Sequence, residues 1–175
     1  MCYHRSEPFT QGQSTKIERG EERMLYFAYG SNMDEEDLES WCLRNRYSPI
    51  RPLAKEVAVL RGWKLVFNHY SPRRKGGVAN IQKCESEEVW GLLMEITEDD
   101  FRKLRKKEGA PEVYQEELVS VLTRAGSVKE AITFVVKRPA AQFVPPTHHY
   151  LLIRSAVKNG FPTDYLQKQK SIPTR

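Results

Sequence analysis

One glutamate and one short turn hold the residues of this chain best suited to chemistry. Residues 97–108 have helical periodicity, with Phe101 and Leu104 defining a buried face. Glu108 follows Phe101 by seven residues and Leu104 by four, which at about 100° per residue returns it to that apolar face. A carboxylate there is costly unless it is partnered. It also sits in the last helical turn, where the dipole disfavours negative charge. Both effects make Glu108 a better proton acceptor, while Arg102, Lys103, Lys106 and Lys107, spread over the solvated sides, oppose them. The alternative is a frayed end that lets Glu108 swing into water beside Gly109.

The turn is Gly30-Ser31-Asn32. It ends the apolar and aromatic run 24–29, read as a buried strand, and precedes Asp34-Glu35-Glu36-Asp37, whose charges suit the first turn of a helix. A strand, a glycine turn and a helix in succession can aim several backbone N–H groups at one point, which fits an anionic ligand or a developing oxyanion. An ordinary strand-to-helix connection is the plainer reading of the same pattern.

Other constellations carry less. Ser31 lacks the flanking glycines of a nucleophile elbow. His148-His149 with Cys84 or Cys42 has no metal-ligand spacing, so no metal is expected. Arg73-Arg74-Lys75 could meet phosphates, but no aromatic stripe accompanies it, and nucleic acid is not expected as a partner. His69 alternates with Trp63, Leu65 and Phe67 on an apolar face and reads as a satisfied core histidine.

These residues need a scaffold, and 175 residues fit one domain with a sizeable core. With 39% hydrophobic and 29% charged residues the chain is globular, and no apolar run reaches the length of a membrane span. A net charge of +5 is mild and favours anionic small molecules. Three separated cysteines form no disulfide framework, which points to the cytoplasm.

Residues 1–23 lack apolar periodicity and are expected to be a disordered or extended leader; Met24, directly before the core strand, could itself be a start. The domain is expected over 24–170, with 171–175 a flexible tail. A helix over 34–45 places Leu38, Trp41 and Cys42 on one face. Strands over 54–60 and 63–70 flank Arg61-Gly62 as a hairpin. Strands over 78–83 and 89–96 follow, the second central because it is apolar on both faces. The helix over 97–108 has Thr97 and Asp100 spaced for capping and Gly109 as its stop. Strands over 112–123 and 128–137 form another hairpin. A helix over 147–159 carries Tyr150, Ile153 and Val157 on one stripe, and a short helix over 164–170 ends the chain. About seven strands in hairpins, with three or four helices, predict an α+β fold: a small, mostly antiparallel β-barrel flanked by helices.

Five motifs in order resemble the γ-glutamylcyclotransferase family over residues 24–168. They are Tyr26-Phe27-Ala28-Tyr29-Gly30-Ser31-Asn32-Met33; Gly76-Gly77-Val78-Ala79-Asn80-Ile81; Val89-Trp90-Gly91; Glu108-Gly109 with Tyr114; and Tyr150, Ile153, Ala156, Asn159-Gly160-Phe161-Pro162 and Tyr165. The resemblance implies a small β-barrel with a pocket at the Tyr29-Gly30-Ser31-Asn32 turn and Glu108 as catalytic base. In the family, this carboxylate takes a proton from the α-amino group of a γ-glutamyl substrate. The freed amine attacks the γ-carbonyl, giving 5-oxoproline and releasing an amine or amino acid, without metal or organic cofactor. The resemblance assigns substrate binding to Tyr29, Gly30, Ser31 and Asn32, close backbone approach to Gly77, and a hydrogen bond at the reacting end to Tyr114. Arg105 stands where many relatives carry an acid and Ser155 where a glycine is usual, while Asn32 is similar to the γ-glutamylcyclotransferase branch rather than the glutathione-specific one. The implied partner is a small γ-glutamyl compound, with neither nucleic acid nor membrane; a homodimer stays open. The alternative function is a non-catalytic module that binds a small carboxylate on the same fold.

Overall fold

Residues 22–175 are described in the structure, a computed structural model; the leader expected over 1–23 lies almost wholly outside them. The first strand, β1 (Arg23–Ala28), is apolar enough to be covered on both sides, and its last three residues are buried. Consecutive residues of a strand face opposite ways, so Tyr26 packs toward one hydrophobic cluster and Phe27 toward another. The Phe27 cluster draws on β1, β2 (Ala54–Ser71), β3 (Gly76–Thr97), β4 (Tyr114–Thr123) and β5 (Val128–Val136), and fills the barrel these strands form. The Tyr26 cluster also takes in Leu38 and Cys42 of α1 (Glu35–Arg44), and Phe101 and Leu104 of α2 (Glu98–Glu108). It lies between sheet and helices.

The barrel closes in the order β1-β3-β2-β4-β5. All pairings are antiparallel except the closing one, where β1 meets β5 in parallel at Tyr26 and Ile132. The α+β barrel flanked by helices is therefore as expected, with five strands where about seven were counted. The hairpin expected at Arg61-Gly62 is instead one continuous β2. Gly62 has φ 78° and sits where the register against β3 shifts between Arg61 and Trp63. A glycine with positive φ serves a bulge as well as a turn, and sequence alone does not separate the two. Likewise 78–83 and 89–96 are parts of β3, joined by the polar stretch 84–88, which lies near water and of which only Glu88 has a partner on β2. The hairpin between β4 and β5 forms as expected.

Helix α2 begins and ends on its own signals. The Thr97 hydroxyl accepts from the Asp100 N–H at 3.2 Å, and Gly109 takes the left-handed conformation with φ 65°. Lys103, expected on a solvated side, is buried, its ammonium held by Asp100 at 2.7 Å and Ser48 at 2.9 Å. Helix α3 (Pro146–Lys158) turns a different face inward from the expected stripe. Tyr150 and Val157 are 60% and 55% exposed, while His148, Leu152, Ser155 and Ala156 are buried. Polar residues on the buried face hid it from the apolar pattern. After α4 (Thr163–Lys170), residues 171–175 run beside Val144, whose carbonyl accepts from the Arg175 N–H at 3.0 Å. Among the described residues, no helix is long and apolar enough to cross a membrane.

The tightest constraint on β1 is Gly91 of β3. A Cβ there would collide with the Ala28 carbonyl oxygen and stand 2.7 Å from the Phe27 ring. Gly91→Ala is expected to cost at least about 1–3 kcal/mol, the usual scale of overpacking. The measurement is a lowered denaturant midpoint at unchanged slope; an unshifted midpoint would show that β1 and β3 separate there without cost.

Candidate active site

The chain leaves β1 at Ala28 and turns through a short 3-10 segment, Ser31–Met33, before Asp34 caps α1 by accepting from the Asp37 N–H. The turn's own hydrogen bonds use the N–H groups of Met33 and Asp34, at 3.1 and 3.0 Å, not those of Ser31 and Asn32. Gly30 has φ −112°, so positive φ is not what calls for glycine there. Close packing is: a Cβ on Gly30 would stand 3.3 Å from the Ala79 Cβ. Asp34 is fixed from behind by Arg154, through bonds of 2.8 and 2.6 Å, and by the Ser155 hydroxyl. Burial pushes its carboxyl up, but Arg154 and the Asp37 N–H outweigh that and hold it below the usual range.

Glu108, at the end of α2, meets the turn through Asn32. The Asn32 side-chain nitrogen donates to Glu108 Oε1 at 2.9 Å and to the Tyr26 hydroxyl at 2.8 Å, while its oxygen accepts from Lys107 Nζ at 2.6 Å. Lys107 Nζ lies 3.9 Å from the same Glu108 Oε1. Both contacts fall on Oε1, leaving Oε2 outside them to accept a proton. The Glu108 side chain is 16% exposed, so it is neither frayed into water nor sealed off.

A cavity of about 370 Å³ opens at this carboxylate. Tyr29, Gly30, Ser31, Asn32, Glu108 and Tyr114 all line it. Gly77 does not: its missing Cβ makes room for Gln142 at 2.6 Å and the Phe67 carbonyl at 2.9 Å, and its N–H donates to the Phe143 carbonyl at 2.7 Å. Tyr26, Tyr29 and Tyr114 are buried, and burial first, with Glu108 adding for each, pushes their hydroxyls well up. They stay neutral donors. Tyr29 spends its proton on the Phe134 carbonyl.

Several wall residues escaped the sequence reading. A second register shift, between Phe67 and His69, breaks the alternation and turns His69 from the core toward the cavity, edge-on to Tyr114 at 5.5 Å between ring centres. Burial lowers its pKa and Glu108 only partly opposes this, so the ring is neutral at pH 7. Arg73 and Arg74 line the cavity and both bind buried Asp37 of α1, at 2.9 and 2.6 Å. Their cluster of basic residues was visible in sequence; the acid that positions it was not. His148, fully buried, accepts from the Ala79 N–H at 2.9 Å, and burial pushes its pKa down to about 3. Among the described residues, no three His, Cys, Asp or Glu side chains gather in a way fit for a metal ion.

A closed barrel with one carboxylate hydrogen-bonded to a strand-ending turn defines a small, single-acid cavity protein. Its family follows from comparison: the model described as "Gamma-glutamyl cyclotransferase, AIG2-like" matches residues 26–152, and the chain belongs to that family and is an enzyme of its type. The chain is 32% identical over 158 residues to the gamma-glutamylcyclotransferase of Bos taurus, covering 86% of this chain and 79% of that one. It is 30% identical over 156 residues to the Mus musculus protein of the same name, with the same coverage of each. A solved structure named gamma-glutamyl cyclotransferase superposes with a TM-score of 0.77 at 28% identity, over 88% of this chain and 90% of that chain.

Because Asn32 alone joins Glu108, Lys107 and Tyr26, Asn32→Ala is expected to lower kcat/KM by about 10–100-fold, the scale of lost hydrogen bonds to charged groups. Steady-state turnover beside a thermal melt checks this. Full turnover in a folded variant would show that Glu108 holds its place without the amide.

Proposed function

We propose that the protein cyclises a γ-glutamyl compound to 5-oxoproline, releasing an amine or amino acid, with Glu108 as the base. The observation that carries this reading is the 2.9 Å hydrogen bond from Asn32 to Glu108, which sets the carboxylate beside the turn in one cavity. The zwitterionic end of the substrate fits between them. Its α-carboxylate meets the N–H groups of the 30–32 turn, and its amino group meets Glu108.

Glu108 takes a proton from that amino group. The nitrogen lone pair then forms a bond to the γ-carbonyl carbon, closing the five-membered ring. The carbon–nitrogen bond to the leaving group breaks, and Glu108 returns its proton to the departing nitrogen. The second proton shed by the ring nitrogen passes to the released amine, which departs as its ammonium form. Ring closure within one molecule draws mainly on positioning, which a preformed wall supplies. Tyr114, which lines that wall as a neutral donor, supports the role of hydrogen-bonding at the reacting end in this reading. The sequence of steps is redox-neutral and uses only groups of the chain and substrate. A module that only bound carboxylates would gain nothing from an acid in its cavity. Cys42 and Cys84 carry free thiols, which supports a reducing cytoplasm as the setting.

Glu108→Gln keeps the size of the side chain and cannot take the proton. Turnover, followed as 5-oxoproline released from γ-glutamyl dipeptides and amines, should fall by at least ~10², while substrate still binds by calorimetry. Unchanged turnover would place the base elsewhere.

A further inference from the structure

The cavity holds more positive charge than a γ-glutamyl head group uses. Arg73, Arg74, Lys106 and Lys107 line it, against Glu108 as the one acid on its wall. Asp37, behind the arginines, supplies a second negative charge. Two positive charges remain. A γ-glutamyl head is a zwitterion, so its carboxylate and ammonium together leave that excess unchanged.

The four cations are not equally occupied. Arg74 is 14% exposed and bound to Asp37, and Lys107 is 8% exposed and bound to Asn32. Arg73 is 42% exposed and gives one N–H to Asp37, from a guanidinium with five N–H donors. Lys106 is exposed, its ammonium 5.3 Å over the Tyr47 ring. Arg73 and Lys106 thus have donors to spare at the cavity. Burial first and then Arg74 lower the pKa of Arg73, with Asp37 only partly offsetting them. Lys107 is lowered in the same sense, by burial first and by Arg74 and Arg73, against Glu108 and Asp37. These cations crowd one another, and an anion placed among them relieves the crowding.

We propose that the leaving group is an acidic amino acid, whose two carboxylates are bound at the cavity wall by Arg73 and Lys106, so that these residues set specificity for a γ-glutamyl dicarboxylate. This rests on the cyclotransferase reading above and names the substrate class of the same site. A neutral amine would leave two cations uncompensated, and a cationic one would be repelled.

The decisive comparison is γ-glutamylglutamate against γ-glutamylglutamine, leaving groups of equal shape that differ by one carboxylate. Wild-type kcat/KM should favour the first by at least ~10-fold, the scale of a hydrogen bond to a charged group. The ratio should move toward one in Arg73→Gln and in Lys106→Gln, and with added salt. Using the ratio removes any common loss from partial misfolding. Turnover of both dipeptides at equal kcat/KM overturns this proposal and leaves the cyclotransferase reading standing. A preference that persists in both variants overturns the assignment to Arg73 and Lys106. If wild type turns over neither but does release 5-oxoproline from other γ-glutamyl dipeptides or amines, this proposal is overturned and the cyclotransferase reading stands. If it turns over none of them, that reading fails and calorimetry decides the anion site. Binding of γ-glutamylglutamate at least ~10-fold tighter than the glutamine compound, lost in Arg73→Gln, supports it; equal or absent binding overturns it.

Discussion

The side chain of Asn32 is the contact on which the site depends. An amide has a donor end and an acceptor end, and here both are used inside the protein: the nitrogen on Tyr26 and Glu108, the oxygen on Lys107. A partly buried acid and a partly buried ammonium on adjacent residues of α2 are thereby joined to a strand end more than seventy residues away in sequence. An aliphatic residue at this buried position would leave three polar groups short of a partner, each at the cost of its desolvation. Asparagine satisfies all three with one side chain, and in doing so fixes the distance between the turn and the carboxylate.

That contact works only because its two ends are set independently. The turn is fixed by β1, clamped between β3 and β5, and by the capping carboxylate of Asp34 with its Arg154 and Ser155 partners. Ser155, where a glycine is usual in the family, donates to this carboxylate and so belongs to the support of the turn. The other end is fixed by α2, which starts at the Thr97 cap, packs Phe101 and Leu104 into the core, and stops at Gly109. Arg105, the other departure from the family's pattern, points away from the cavity to pair with Glu116 of β4 and covers the Phe101 ring at 4.9 Å. Neither residue has a hydrogen bond to the Glu108 carboxylate. The positive charge of the cavity comes from its wall, where the Arg73-Arg74 loop and Lys106-Lys107 surround one acid with four cations.

Much was legible in the chain. The boundaries of α1 and α2 follow from caps and charges within a few residues of each other, and the return of Glu108 to the apolar face follows from its spacing alone. The glycine turn after an aromatic strand marks itself in the same way. These are short-range properties, set by backbone hydrogen bonding and the geometry of one helix, so neighbouring residues suffice to determine them.

What only the tertiary structure decided involves partners far apart in sequence or a choice among equivalent local conformations. A positive-φ glycine at Gly62 serves a bulge or a turn equally well, and pairing with β3 settled it as a bulge. The shift at His69 exchanged a core residue for one facing the cavity, because one extra residue in a strand reverses every side chain beyond it. Gly77 has the composition of a substrate cradle and packs instead against the 139–146 segment. Asp37 reads as an acid in a helix's first turn, and folding buries it under Arg73 and Arg74. The sequence by itself determined which carboxylate would be held at an apolar helix end; the closed barrel decided what surrounds it, since each of those contacts spans strands whose register no local pattern encodes.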